Sequence, residues 1–130
     1  ALREYGDALG IAFQIVDDVL DYGGSDSVIG KNTGDDFRER KLTLPLIKAV
    51  AKANPEERAF WERVIERNDQ RDGDLAHAMV ILQRHDAISA CRSDALAWAA
   101  RASSALDNLP VHPLRNTLSE LANYIVSRVS

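Results

Sequence analysis

Apolar residues recur along this chain at intervals of three and four positions, the spacing that places them on one side of an α-helix. Alternating strand-like patterns are absent from the sequence, and glycine and proline are scarce, at 7 and 4 residues. The pattern therefore predicts an all-α protein, a helical bundle whose helices are joined by polar turns. The predicted helices are 2–21, 42–52, 55–67, 75–84 and 87–106, and a last amphipathic helix that starts at Leu114.

Two of these helices begin with recognisable capping residues. Asn54 is a favourable N-cap, Pro55 suits the first helical turn, and Glu57 occupies the position that completes a reciprocal capping box. Farther along, Gly73 lies in a polar turn, and Asp74 can cap the helix that follows. Both starts are predicted from local sequence alone.

The first predicted helix is apolar over most of its circumference, which is typical of an interior helix. Leu9, Phe13, Val16 and Leu20 form one face, which Ala12, Ile15 and Val19 widen. A buried helix of this kind is an unusual place for several charged side chains.

Four polar residues nevertheless share one side of that helix. Gln14, Asp17, Asp18 and Asp21 stand at offsets of 0, 3, 4 and 7 positions, an arc of about 100°. Carboxylates among apolar neighbours are costly unless they are compensated, and a divalent cation can compensate them. Mg²⁺ is commonly held by one or two carboxylates together with substrate phosphates. The alternative is an ordinary solvated acidic surface, which the apolar neighbours disfavour.

The polar segment after this helix contains glycines and lysines. Gly30 and Gly34 allow sharp turns and a close backbone approach to a ligand, and Lys31 and Lys41 could reach phosphate oxygens. Taken alone, the segment is more typical of a solvated charged loop. Beside a metal-binding face, it is well suited to a polyphosphate.

These motifs together resemble a known family. Residues 13–22 are similar to the second aspartate-rich motif of the trans-isoprenyl diphosphate synthases. The pair 30–31 and the segments 34–36 and 41–45 match the same family in order and spacing. The segment 41–45 is most similar to the long-chain octaprenyl and decaprenyl diphosphate synthases, which supply quinone side chains. The later helices fit the family more loosely.

The resemblance implies a fold and a reaction. Family members are all-helical and usually homodimeric, and they join isopentenyl diphosphate to an allylic diphosphate. Mg²⁺ ions held between two aspartate-rich motifs promote departure of the diphosphate from the allylic substrate. An allylic carbocation results, and no protein nucleophile takes part. The expected product is a polyprenyl diphosphate, which can associate with a membrane.

The resemblance also implies roles for individual residues, at the metal ions, at the substrate or at both. Asp17, Asp18 and Asp21 would hold Mg²⁺, Lys31 would contact the allylic diphosphate, Gln14 would line the reaction cavity, and Asp36 and Lys41 would help to hold the diphosphate and the metals. Of these, Asp17, Asp18, Asp21 and Lys31 are the expected catalytic residues.

The first aspartate-rich motif of that family is not found in residues 1–130. We therefore expect these residues to be the C-terminal portion of a single polyprenyl synthase domain, inactive alone. One alternative is a non-catalytic partner subunit or an inactive helical fragment. Another is a terpene cyclase on the same fold, which Asp21 disfavours because cyclases usually have an Asn- and Ser-rich second motif.

Composition narrows the remaining possibilities. A net charge of −4, from 16 basic and 20 acidic residues, argues against nucleic-acid binding. The single cysteine, Cys91, fits a reducing cytoplasmic location, and no apolar run approaches the ~20 residues of a membrane span. His77, His85 and His112 have no metal-ligand spacing, and we expect them at surfaces or helix ends.

The sequence also predicts whether the large side chains of helices 55–67 and 87–106 are buried or exposed. Trp61 and Trp98 are expected in the core or at an interface. Arg58, Arg63 and Arg67 are expected on a solvated helix face.

Overall fold

The computed structural model describes residues 1–22 and 34–129, and within them it contains helices and no strand. The all-α prediction is thereby confirmed. The helices are α1 (Leu2–Asp21), α2 (Asp35–Arg38), α3 (Leu44–Ala51), α4 (Pro55–Trp61), α5 (Asp74–Arg84), α6 (Ala87–Ala105) and α7 (Pro113–Ser127). A π-helical turn, Glu62–Glu66, continues α4, and a 3₁₀ turn, Leu106–Asn108, continues α6. None of these helices combines the length and apolarity needed to cross a membrane.

The chain divides into two compact units. The first comprises Ala1–Asp17 and Cys91–Ser130. Its core consists of small residues packed around larger ones: Tyr5, Ala8, Ala102, Ala105, Leu106 and Ala122 are all buried. The Tyr5 hydroxyl donates a hydrogen bond of 2.8 Å to the Leu118 carbonyl, which ties the start of α1 to α7.

The second unit is Asp18–Ala90, and it carries most of the candidate site. The large side chains at its centre come from α2, α3, the π-helical turn and α5. They are Phe37, Leu46, Val64, Ile81 and Leu82, all of which are almost fully buried. Trp61 is also buried here, as its sequence environment predicts. The short helix α2 is therefore anchored in this core by Phe37.

The buried side of α1 differs from the predicted one. Phe13 is 50% exposed and Ile11 40% exposed, whereas Val16 and Val19 are almost completely buried. The buried stripe runs through residues that include small ones: Tyr5, Ala8, Ala12, Ile15, Val16, Val19 and Tyr22. The prediction followed the bulkiest side chains, but helices pack where small residues let the backbones approach. The assignment of Phe13 to the buried face was wrong.

The prediction of a solvated face for Arg63 was also wrong. Arg63 is half-buried, and its two terminal guanidinium nitrogens each donate to the Asp74 carboxylate over 2.9 Å. Asp74 is not the N-cap of α5 as expected. Gly73 takes that position with a left-handed φ of 86°, and the Asp74 carboxylate accepts a bond from the Arg71 amide instead. The main partner of the Asp74 carboxylate is thus a residue 11 positions away in the sequence.

Candidate functional site

The acidic residues of α1 lie near its C-terminal end. Asp21 is 2% exposed and Asp18 6% exposed, Asp17 is half-buried, and Gln14 is exposed. All four have polar or electrostatic partners. The predicted combination of carboxylates with apolar surroundings therefore holds for Asp18 and Asp21, the two that belong to the second unit.

The short helix α2 brings the backbone of Asp36 to Asp21. The Asp36 amide donates to Asp21 Oδ2 over 3.1 Å, and the Gly34 amide donates to the Asp21 carbonyl oxygen over 2.8 Å. Gly34 has a φ of 85°, a conformation that glycine adopts without steric strain. The structure thus shows Gly34 in contact with the end of α1, and its predicted close approach to a ligand stays a prediction.

Asp36 and Lys41 come together at this end of the second unit. Asp36 is 5% exposed, and its Oδ1 lies 4.0 Å from Nζ of the largely exposed Lys41. The Lys41 amide also donates to the Asp36 carbonyl oxygen over 2.8 Å, which holds the two residues in register. Asp36 Oδ2 is buried and makes no hydrogen bond within the described part of the chain.

These carboxylates match the chemistry of a hard divalent cation. Buried polar atoms normally have a partner, and a cation or its bound water would provide one for Asp36 Oδ2. Residues 1–22 and 34–129 by themselves contain no group of three or more carboxylate, imidazole or thiol side chains close enough to hold a metal. Further oxygen ligands, such as substrate phosphates and water, would have to complete the coordination.

Tyr22 is a residue of this site that the sequence analysis did not identify. Burial raises the pKa of its phenol, and the charges of Asp21 and Asp36 raise this pKa further. The nearby Thr43 hydroxyl partly opposes this rise in the pKa. Tyr22 therefore stays neutral and protonated beside the carboxylates. Its position directly after Asp21 is the sequence feature that could have identified it.

The structure describes only some of the residues that are predicted to bind the substrate. Lys41 and Asp36 lie side by side, whereas Lys31 and Gly30 fall outside the described residues. The roles assigned to Asp17, Asp18, Asp21, Gln14, Lys31, Asp36 and Lys41 remain predictions. What the structure adds is that Asp21, Asp36 and Lys41 are neighbours through backbone and side-chain contacts.

Two curated proteins are similar to this chain in sequence. Octaprenyl diphosphate synthase of Haemophilus influenzae is 37% identical over 128 residues, which cover 98% of this chain and 39% of that protein. The all-trans-nonaprenyl-diphosphate synthase (geranyl-diphosphate specific) of Rhodobacter capsulatus is 36% identical, with the same coverage. The chain thus spans about 39% of the length of these curated relatives.

Solved structures give a similar result. The crystal structure of a decaprenyl diphosphate synthase from Rhodobacter capsulatus matches 98% of this chain, and 39% of its own, with a TM-score of 0.91 and 63% identity. A polyprenyl synthase from Caulobacter crescentus, complexed with calcium and isoprenyl diphosphate, matches 99% of this chain and 39% of its own, with a TM-score of 0.89 and 46% identity. The likeness therefore includes the helical fold as well as the sequence.

A family model described as "Polyprenyl synthetase" matches residues 1–82, which include α1, α2 and the acidic residues of both helices. Together with the helical fold and the arrangement of Asp21, Asp36 and Lys41, this match leads to one conclusion. The chain belongs to the polyprenyl synthetase family.

Proposed function

We propose that this chain forms one side of the active site of a polyprenyl diphosphate synthase. The whole enzyme would condense isopentenyl diphosphate with an allylic diphosphate and release diphosphate. The observation that carries the proposal is the contact between α1 and α2. There the Asp36 amide donates to the buried Asp21 carboxylate and the Asp36 carboxylate lies 4.0 Å from Lys41 Nζ, which supports the proposal in a chain of this family.

Asp17, Asp18 and Asp21 would hold Mg²⁺ directly or through water, and Asp36 would assist them. When bound, Mg²⁺ would neutralise the diphosphate and make it a better leaving group. A structural neighbour that holds calcium and isoprenyl diphosphate supports a divalent cation and a diphosphate ligand. The choice of magnesium rests on the carboxylate ligands and on the phosphate chemistry.

The other site residues would bind and shield the substrate. Lys31 and Lys41 would bind the oxygens of the allylic diphosphate as point charges, and Gln14 would line the cavity. Tyr22 would add a neutral hydroxyl donor within the carboxylate cluster. Because the reaction has no protein nucleophile, these residues would act by electrostatic stabilisation and by exclusion of water.

Three further features belong to this proposal. The similarity to octaprenyl, nonaprenyl and decaprenyl diphosphate synthases supports a long product, of the kind used for quinone side chains. Residues 1–130 would be the C-terminal portion of one domain, whose first aspartate-rich motif lies outside them. The complete protein would be a cytoplasmic homodimer, and the presence of a single, buried cysteine, Cys91, agrees with a reducing compartment.

Replacement of Asp17 in the complete protein tests the proposal. We expect Asp17→Ala to lower the rate of prenyl transfer about 100-fold or more, since a ligand of the Mg²⁺ that would neutralise the departing diphosphate is lost. The assay would follow radiolabelled isopentenyl diphosphate and Mg²⁺ into product, and mass spectrometry would measure the product length.

Asp7→Ala is the matched control, because Asp7 is an exposed aspartate on the same helix. It should retain activity, and both variants should melt near the wild-type temperature. Full turnover by a folded Asp17→Ala enzyme would refute the metal role. A wild-type protein that never transfers prenyl groups, but binds an active synthase, would instead support the alternative of a non-catalytic partner subunit.

A further inference from the structure

A loop outside the aspartate-rich motifs contacts α2 directly. The Gln70 side-chain amide donates one hydrogen bond of 2.8 Å to the Phe37 carbonyl oxygen and another of 3.1 Å to the Val64 carbonyl oxygen. Both acceptors are carbonyl oxygens, so the amide nitrogen must face them. A single side chain thus links α2 to the π-helical turn Glu62–Glu66.

The local backbone explains why Val64 has a carbonyl to offer. In the π-helical turn the Arg67 amide bonds to Glu62 rather than to the residue an α-helix would use. Asn68 then takes a left-handed φ of 54° and ends the helix. The carbonyl groups near a helix end need other partners, and Gln70 supplies one of them.

The loop that carries Gln70 is itself held at both sides. Arg63 donates to the Asp69 carbonyl oxygen over 2.7 Å and binds the Asp74 carboxylate with both terminal nitrogens. This guanidinium–carboxylate pair is partly shielded from solvent and has the bidentate geometry of a strong interaction. Gln70 is therefore presented by a braced loop and not by a solvated one.

From Gln70 the contacts lead to the acidic site in two steps. Phe37, whose carbonyl oxygen Gln70 binds, directly follows Asp36 in α2. The Asp36 amide donates to Asp21 Oδ2, and Asp36 Oδ1 lies near Lys41. Because α2 has only four residues, its own backbone bonds cannot hold it firmly, and external contacts must determine its position.

We propose that Gln70 is a positioning residue for the metal and diphosphate site. It holds α2 so that the Asp36 amide stays on the Asp21 carboxylate and the Asp36 side chain stays beside Lys41. This inference rests on the proposed function, because it gives Gln70 a purpose at that site. It also adds to the site the loop that carries Gln70, which lies outside the aspartate-rich motifs.

The test replaces Gln70 in the complete protein with glutamate, which has the same shape but no amide donor. In Gln70→Glu a carboxylate would face two carbonyl oxygens, so both hydrogen bonds are lost. The control is Gln83→Glu, the same change at an exposed glutamine on α5. Gln70→Asn, which keeps an amide donor on a shorter side chain, should restore part of the wild-type behaviour.

Two measurements separate positioning from general destabilisation. The first is hydrogen exchange of the amides of 35–38 without metal, under conditions in which all variants remain folded. Loss of the anchoring bonds should speed it about tenfold in Gln70→Glu relative to Gln83→Glu. The second is calorimetric titration with inorganic pyrophosphate and Mg²⁺, in which Gln70→Glu should bind about tenfold more weakly.

The possible outcomes are distinct. Unchanged exchange at 35–38, or unchanged pyrophosphate affinity in Gln70→Glu, would overturn the role of Gln70 and leave the proposed function standing. A wild-type protein that does not bind pyrophosphate with Mg²⁺ would contradict the proposed function itself, and the site role of Gln70 with it. Faster exchange and weaker binding in Gln70→Glu alone would support the proposal.

Discussion

Two structural constraints favour glycine at position 34. Its φ of 85° lies in the left-handed region, and a Cβ atom built on it would stand 2.6 Å from Leu75 Cδ1. Its amide meanwhile donates to the Asp21 carbonyl oxygen. The sequence predicted a glycine that allows a turn, but contact with α5 adds a second reason for it that no local pattern contains.

A comparison of two glycines separates these constraints. Gly73 has nearly the same φ, 86°, but its built Cβ has no neighbour within 4 Å. We expect Gly73→Ala to cost about 1 kcal/mol of unfolding free energy, from the left-handed backbone alone. Gly34→Ala should cost about 1 kcal/mol more, because the half-buried side chain of Leu75 has to move. Urea denaturation measures both values.

The pair of variants also predicts a coupling. In the Leu75→Ala background the space beside residue 34 is open, so Gly34→Ala should cost there only what Gly73→Ala costs. Equal losses for Gly34→Ala and Gly73→Ala in the wild-type background would contradict the role assigned to Leu75.

At the scale of elements, α4 shows where local sequence is sufficient. The predicted capping box is present: the Glu57 amide donates to Asn54 Oδ1 over 2.8 Å, and the Asn54 amide donates to Glu57 Oε1 over 3.0 Å. The same Glu57 carboxylate also binds Arg84 over 2.8 Å and His85 over 2.9 Å. The start of α4 is thus tied to the end of α5, a connection that spacing could not predict.

This junction should make stability depend on pH. The Asn54 amide and the His85 side chain hold the pKa of Glu57 below its ordinary value of 4.5. The charged carboxylate therefore stabilises the fold above about pH 4.5, and this contribution is lost as the pH falls through the lower folded-state pKa. We expect Glu57→Gln to cost about 1–3 kcal/mol at pH 7 and clearly less at pH 3.

Unfolding free energies across this pH range would test the prediction. Glu56→Gln is the control, since Glu56 is an exposed neighbour in the same helical turn. Its unfolding free energy should stay close to the wild-type value at every pH. A cost of Glu57→Gln that is the same at pH 3 and pH 7 would contradict the stabilising role of the charge.

At the scale of the whole molecule, the chain spans about 39% of the length of its curated relatives. Within the described residues the printed contacts join Asp21, Asp36 and Lys41, of which only the two carboxylates can be ligands of Mg²⁺. We propose that the complete site also needs the first aspartate-rich motif of the family, which is not found in residues 1–130.

That requirement predicts how the isolated chain behaves. The 130 residues alone should bind pyrophosphate and Mg²⁺ at least about tenfold more weakly than the complete protein, and they should transfer no prenyl group. Calorimetric titration and a radiolabelled isopentenyl diphosphate assay, run in parallel on both proteins, would measure this. Detectable prenyl transfer by the isolated chain would show that it contains a complete site.

Much of this protein follows from its sequence. The three- and four-residue spacing of apolar positions predicted every long helix, and Asn54, Pro55 and Glu57 predicted where α4 begins. Such features depend on residues within one or two helical turns, so a pattern can reveal them. The family resemblance came from motifs that are local in the same sense, at residues 13–22, 30–31, 34–36 and 41–45.

Only the tertiary structure decided which side chains meet across elements. It turned Phe13 outward, paired Arg63 with Asp74, and placed Gln70 against α2 and Asp36 against Asp21. The physical reason is that each of these outcomes depends on contacts with parts of the chain remote in sequence, where burial and hydrogen bonding together outweigh local preference. The sequence by itself determined the helices and the acidic motif. The packing of α2, and of the loop that carries Gln70 against it, determined how the residues of that motif are arranged.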